Sequence, residues 1–202
     1  MYTDVLGDPE QWVVEQQPGG EVNFENGTLE IIDAEGCTVW FKNKLEGKIS
    51  IEYDITIIDK GGSYDRVSDM NCFWMASDPR HPNDFFETSV QRAGHFPNYH
   101  ELKLYYVGYG GHNNTKTRFR RYNGNANRPL LPEHDLTDRK YMIVPNRKIH
   151  IELVADGSTI KYIRDNGVIF NIDDPKPYAQ GYFGFRTVNN HMKIENFKVS
   201  EL

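Results

Sequence analysis

Cysteine is scarce in this chain: two residues, Cys37 and Cys72, among 202. That is too few for a disulfide framework, and neither has the CxxC or Cys/His spacing of a structural zinc site. Both lie in apolar, strand-like runs, so buried thiols are expected, with one bridge left open. No run of eighteen apolar residues exists, so no helix is predicted to span a membrane. Positive charge is also short: the net charge of −6 argues against a nucleic-acid partner, which would need dense Lys and Arg to displace counterions. The start "MYTDVLGDPEQW" lacks a basic segment followed by an apolar one, an expectation compatible with a cytoplasmic protein or with a mature periplasmic or secreted form. Asp65, Asp69, Asp78 and Asp84 lie in "SYDRVSDMN" and "SDPRHPND" but lack the dense D-x-D-x-D-G loop of a calcium site. No cofactor is expected; calcium stays open without a motif to support it.

What is present is strand pattern, nearly everywhere. Aromatic residues reach 13% and apolar residues 38%, an ordinary globular composition with an aromatic excess. "EVNFENGTLEIID" sets Asn26-Gly27 between two alternating runs, a strong hairpin signal. Ile49, Ile51, Tyr53, Ile55 and Ile57 alternate with polar residues, as in a long half-buried strand. "MNCFWMAS" is apolar on both parities, as for a central strand covered on both faces. Asp156-Gly157 and Asn166-Gly167 mark the turns of a three-stranded meander. Pro79 to Gln91 offers one short helix of weak period, and Lys60–Asp69 and Gly124–Asp138 read as long surface loops, which are often functional. A dozen strands joined by Gly, Asn and Asp turns predict an all-β, two-sheet antiparallel sandwich, with residues 1–202 as one domain.

The meander "IHIELVADGSTIKYIRDNGVIFNIDDP" followed by "GYFGFRTVNNHMKIENFKVSEL" resembles the carboxy-terminal half of concanavalin A-like lectin/glucanase jelly rolls. The motif residues are Gly181, Gly184, Phe185, Arg186, Asn196, Phe197 and Val199. "FPNYH", with the following "LYY" and "TRFRRYNG", further resembles YesU-type proteins of bacterial rhamnogalacturonan-utilisation clusters. The resemblance implies a galectin-like sandwich whose concave sheet faces carbohydrate, on a fold that hosts glucanases, polysaccharide lyases and noncatalytic lectins alike. The E-x-D-x-E signature of retaining glucanases is missing, and with it the paired carboxylates of that hydrolysis.

The chemistry concentrates between Gly94 and Gly124, which carries three histidines, five tyrosines and three arginines. Period two in "LKLYYVGYGG" separates Leu102, Leu104 and Tyr106, the better core face, from Tyr105, Val107 and Tyr109. In "TRFRRY" it puts Arg118, Arg120 and Tyr122 opposite Phe119. Arginine forks take a uronate carboxylate, and tyrosine stacks on a pyranose. The same groups suit β-elimination, which neutralises the carboxylate, removes the C5 proton and protonates the leaving oxygen. The expected roles are His100 as base, Tyr109 as acid, and Arg118 or Arg120 as clamp. Arg92, His95, Tyr105, His112, Asn114, Tyr122 and Trp74 are expected to contact substrate. No metal site is expected, because no carboxylate converges with the histidines. The expected partner is an acidic polysaccharide or oligosaccharide, cleaved by a lyase. The alternatives are a lectin-like module that only binds and a hydrolase with unrecognised carboxylates; no oligomeric state follows from the sequence.

Overall fold

The computed structural model describes residues 1–3 and 5–202. Its strands are β1 (Tyr2–Thr3), β2 (Trp12–Gln16), β3 (Glu21–Glu25), β4 (Thr28–Asp33), β5 (Cys37–Phe41), β6 (Leu45–Glu46), β7 (Ile49–Ile57), β8 (Asn71–Ser77), β9 (Lys103–Gly110), β10 (Lys116–Asn123), β11 (Asp135–Leu136), β12 (Ile149–Asp156), β13 (Thr159–Arg164), β14 (Gly167–Asp173), β15 (Gln180–Thr187) and β16 (Asn190–Glu201). They form two antiparallel sheets. The back sheet runs β14-β13-β12-β7-β16-β4-β3, with β1 on β16; the front sheet runs β11-β10-β9-β8-β15-β5-β2, with β6 on β15. No helix among the described residues is long and apolar enough to cross a membrane.

Local sequence explains the main turns. Asn26 and Gly27, with φ of 50° and 73°, close the β3–β4 hairpin in the left-handed conformations a two-residue turn of this hand requires. In the meander the turns sit one residue off the expected pairs, on Gly157–Ser158 and Asp165–Asn166, because Asp156 pairs with Thr159 and Arg164 with Gly167. The alternating run of β7 behaves as its pattern predicts: Ile49, Ile51, Tyr53, Ile55 and Ile57 are all buried in the layer between the sheets. Trp12 packs there too, stacked on Phe185 and edge-on to Phe197. Cys37 and Cys72 are buried, free thiols. The short helix forms later than expected, as a single turn at Ser89–Arg92 (α1).

Strand β8 breaks the period-two rule. A bulge between Trp74 and Ser77, with Met75 at φ 52°, turns both Trp74 and Met75 into the inter-sheet core, while Phe73 and Ala76 face outward. Those outward residues are not exposed. On the outer face of the front sheet Trp40, Phe73, Leu104, Tyr106 and Tyr122 form a second apolar layer, roofed by Phe85, Tyr99 and Leu102 from the 78–102 connection. Trp40 stacks on Phe73 at 5.6 Å and meets Phe85 edge-on at 4.8 Å.

The roof corrects the assignment of faces on β9. Leu102, Leu104 and Tyr106 are apolar because the roof covers them; the inter-sheet core takes Tyr105, Val107 and Tyr109. Interior tyrosines are tolerable because their hydroxyls are partnered. Tyr105 donates to Asp174 (2.7 Å), while Tyr109 donates to the Met142 carbonyl (3.1 Å) and accepts from Arg164 (2.7 Å).

Candidate functional site

Beyond the edge of the roof the outer face of the front sheet stays open, as a cleft of about 440 Å³. Its floor is Tyr106 and Gly108 of β9 with Arg118 and Arg120 of β10, which pair in register: Arg118 with Gly108, Arg120 with Tyr106. Its walls are Phe96 from the roof, Asp69, the turn that holds His112, Lys116, and Arg128 from the loop after β10. Tyr106 lies flat because Gly108 has no side chain; a Cβ there would sit 2.6 Å from the tyrosine hydroxyl.

Four cations, Lys116, Arg118, Arg120 and Arg128, therefore line the cleft with one carboxylate, Asp69. Arg118 is tied down: Nε and Nη2 donate to Asp135 at 2.9 and 3.1 Å, and Nη1 lies 2.7 Å from His112 Nε2. Those contacts, the Asp135–Arg118 hydrogen bonds foremost, hold the Asp135 carboxyl below its ordinary value. Arg120 donates through Nη1 to the Arg128 carbonyl, and neither Arg120 nor Arg128 has a carboxylate partner among the described residues. Burial first, and then Arg128 and Arg118 close by, keep Arg120 below an arginine's usual value, although it stays charged at any physiological pH. The cleft thus carries two uncompensated guanidinium groups beside a flat tyrosine ring.

His112 is aimed at Arg118 by an unusual turn. His112, Asn113 and Asn114 have φ of 54°, 57° and 58°, left-handed values that cost a side-chain-bearing residue about 1–2 kcal/mol each, less for asparagine. Cross-links hold it: Asn113 Oδ1 accepts from Arg66 at 2.7 and 3.2 Å, and Asn114 exchanges two bonds with the Ile143 backbone. Asn114, expected to touch substrate, is a staple between two loops.

Several other expected site residues lie elsewhere. Arg92 is 1% exposed beneath the roof, where Nε donates to both Glu15 oxygens (3.0 and 3.1 Å) and Nη2 to one of them (2.6 Å). Tyr99 donates to the same carboxylate at 2.6 Å, and the guanidinium lies 4.6 Å from the Phe85 ring centroid. Arg92 is an anchor for the roof and not a sugar clamp. Trp74 and Tyr105 are in the inter-sheet core, as is Tyr109, so none of the three meets the cleft. Tyr122 shares the face of Arg118 and Arg120 as expected, but the roof buries it. His95 is exposed at the entry to the 3₁₀ turn Phe96–Tyr99 and caps nothing with its side chain.

His100 ends that turn, edge-on to Phe96 at 5.0 Å and to Tyr122 at 6.2 Å, with a buried Nε2 that has no partner among the described residues. Burial, then the charges of Arg128 and Arg120, push it down to about 4. A base so weakened, packed behind Phe96, is poorly suited to abstract a proton. Since the folded value lies below the ordinary 6.5, the unfolded chain takes up the proton first, and stability is withdrawn as pH falls from about 6.5 to about 4. An NMR titration of the ring protons should give a midpoint near 4, and His100→Gln should flatten that stretch of the pH–stability curve. A midpoint above 6 would mean that the ring is solvated and free to act.

The aspartates considered for calcium are engaged separately. Asp78 binds Arg80, Asp65 accepts from the Lys60 and Gly62 amides, Asp69 from Arg66 and Ser68, and Asp84 from the Phe86 amide. No group of three His, Cys, Asp or Glu among the described residues is placed to share an ion.

An antiparallel sandwich of this strand order, with a cleft on the outer face of one sheet, is a galectin-like jelly roll of the concanavalin A-like class. The chain belongs to the family described as Domain of unknown function (DUF6250), which matches residues 31–197. Among solved structures it is similar to a protein of unknown function with galectin-like fold from Bacillus subtilis, at 18% identity and a TM-score of 0.76, covering 100% of this chain and 95% of that one. It is also similar to the carbohydrate-binding module CBM66 from Bacillus subtilis (14% identity, TM-score 0.62, 95% and 96% covered). A third is the metal-free carbohydrate recognition domain of Emp46p (13%, TM-score 0.65, 98% and 91% covered). None of these names the YesU type. No curated protein sequence matches the chain. Sequence reasoning found Arg118, Arg120 and His112; it missed Tyr106, Lys116 and Arg128, and weighed Asp69 only as a calcium ligand.

Proposed function

We propose that this protein binds acidic carbohydrate in the cleft on its front sheet. The observation that carries the reading is the pair Arg120 and Arg128, two cations without a carboxylate partner among the described residues, set beside the flat ring of Tyr106. A uronate supplies what they lack, a carboxylate for the guanidinium forks, together with hydroxyls for the Tyr106 phenol that reaches the cleft beside Gly108. The names of two similar structures, a carbohydrate-binding module and a carbohydrate recognition domain, support a sugar over another anion.

A second reading keeps the same ligand and adds β-elimination. It is favoured by Tyr106 and His112, which line the cleft with the arginines and can carry protons, as can Lys116 and Asp69 beside them. In that reaction an arginine neutralises the uronate carboxylate, a base takes the C5 proton, the C4–O bond breaks and an acid protonates the departing oxygen. Of the residues expected for these roles, His100 packs edge-on against Phe96 and does not line the cleft, and Tyr109 is in the core.

Calorimetry with polygalacturonate and rhamnogalacturonan tests both readings. Arg120→Met should weaken binding about ten- to hundredfold, the worth of a charged hydrogen bond. Equal affinity for an uncharged glucan, or an unchanged Arg120→Met, would sink the acidic-sugar reading. A rise in the ultraviolet absorbance of unsaturated uronate during incubation would favour the lyase, and a flat trace the binding module.

A further inference from the structure

One row of side chains crosses the outer face of the front sheet in register: Thr38 on β5, Arg186 on β15, Asn71 on β8, Gly108 on β9 and Arg118 on β10. The Arg118 end is the open cleft. The middle of the row is closed, with Asn71 4% exposed and Arg186 fully buried. Arg186 spends Nη1 on the Thr38 hydroxyl (3.2 Å) and the Gly94 carbonyl (2.6 Å). Its Nε and Nη2 have no partner among the described residues, and neither has Asn71 Oδ1 on the neighbouring strand. A guanidinium shut away with most of its donors idle is costly, and natural interiors seldom keep such a group without a use.

Phe96 divides this buried pair from the cleft. Its half-buried ring lines the open side and lies 5.2 Å from the Arg186 guanidinium. It stands on a single 3₁₀ turn, entered through Ala93 and Gly94 at φ of 46° and 75°. From Arg186 on β15 to Arg118 on β10 the row spans four strands, three inter-strand spacings or about 14 Å. That is longer than one pyranose ring and suits a short chain of them.

We propose that Arg186 and Asn71 form an inner subsite, closed by Phe96 in the free protein, for a second acidic sugar unit. Arg186 takes its carboxylate on Nε and Nη2, and Asn71 Oδ1 accepts from one of its hydroxyls. The cleft is then a site for acidic oligosaccharides and discriminates against single uronates. This inference rests on the acidic-carbohydrate reading of the open cleft.

Arginine side-chain NMR with galacturonate and trigalacturonate as probes, together with calorimetry, tests it. Trigalacturonate should bind at least tenfold more tightly than galacturonate and shift the Nε–H signals of Arg120, Arg128 and Arg186, whereas galacturonate should shift only the first two. Asn71→Asp keeps the volume and places a carboxylate opposite Arg186; it should raise Tm, leave galacturonate affinity within about twofold, and abolish the preference for trigalacturonate. If trigalacturonate moves Arg120 and Arg128 but not Arg186, or if Asn71→Asp retains the full preference, the inner subsite is refuted while the cleft reading stands. If neither sugar moves any arginine signal, the acidic-carbohydrate reading itself falls, and the inner subsite with it.

Discussion

Replacing Glu15 by alanine should cost about 3–5 kcal/mol, the penalty for leaving a buried charge without its partner. Arg92 makes three hydrogen bonds to that carboxylate, and Tyr99 adds a fourth, so the substitution strips both ends of the roof's anchor at once. The remaining partners of Arg92, the Phe85 carbonyl and the Thr88 hydroxyl, belong to the roof itself and cannot hold it to the sheet. The loss should therefore be local first. Trp40, fully buried beneath the roof, should emit at longer wavelength, and protease should cut within residues 79–101 before the sandwich unfolds. A variant that melts in one step, with native Trp40 emission up to Tm, would show that roof and sandwich are a single cooperative unit.

Gly94→Ala should reach the same state without touching a charge. Gly94 has φ of 75°, and an added Cβ would overlap the Gly36 carbonyl oxygen while standing 2.9 Å from the Gln17 nitrogen and the Glu15 oxygen. All of these are backbone atoms and cannot swing aside. Left-handed strain and overpacking together predict a cost of about 2–5 kcal/mol. Gly94 also supplies the carbonyl that Arg186 binds at 2.6 Å, so displacement of this crossing should loosen Phe96 as well. Comparison of the two variants by Trp40 emission and limited proteolysis separates charge from shape: matching cleavage patterns would assign both residues to one anchor. A Gly94→Ala protein with native Tm and emission would contradict the packing described at the Gly36 crossing.

The sandwich was legible in the sequence because its determinants are local. Asn26-Gly27 fixes a hairpin, and the alternation from Ile49 to Ile57 fixes which face of β7 is buried. The cleft was half legible. Parity arithmetic correctly grouped Arg118, Arg120 and Tyr122, since charged residues opposite Phe119 cannot face the core. It failed on β9, where both parities are apolar and polarity cannot choose between them. That choice is made by residues 78–102, a connection without periodicity of its own, which folds back over Leu104 and Tyr106 and makes an outer face look like an inner one. Arg92 misled for a related reason: its partner Glu15 is on β2, far along the chain, and nothing local marks a buried ion pair. Arg128 lies in a loop whose path over Arg120 is set by tertiary contact.

The roof connects β8 to β9, which are adjacent, paired strands of the front sheet. In topological terms it is an overgrown hairpin loop. Its length and sequence can change without altering a single ladder pair, because strand order and register on either side are already fixed by the hairpin. The fraction of the outer face left uncovered is therefore a variable independent of the fold. Descendants of one sandwich could offer a broad trough or a narrow slot by altering this one insertion, with the cationic floor inherited unchanged beneath it.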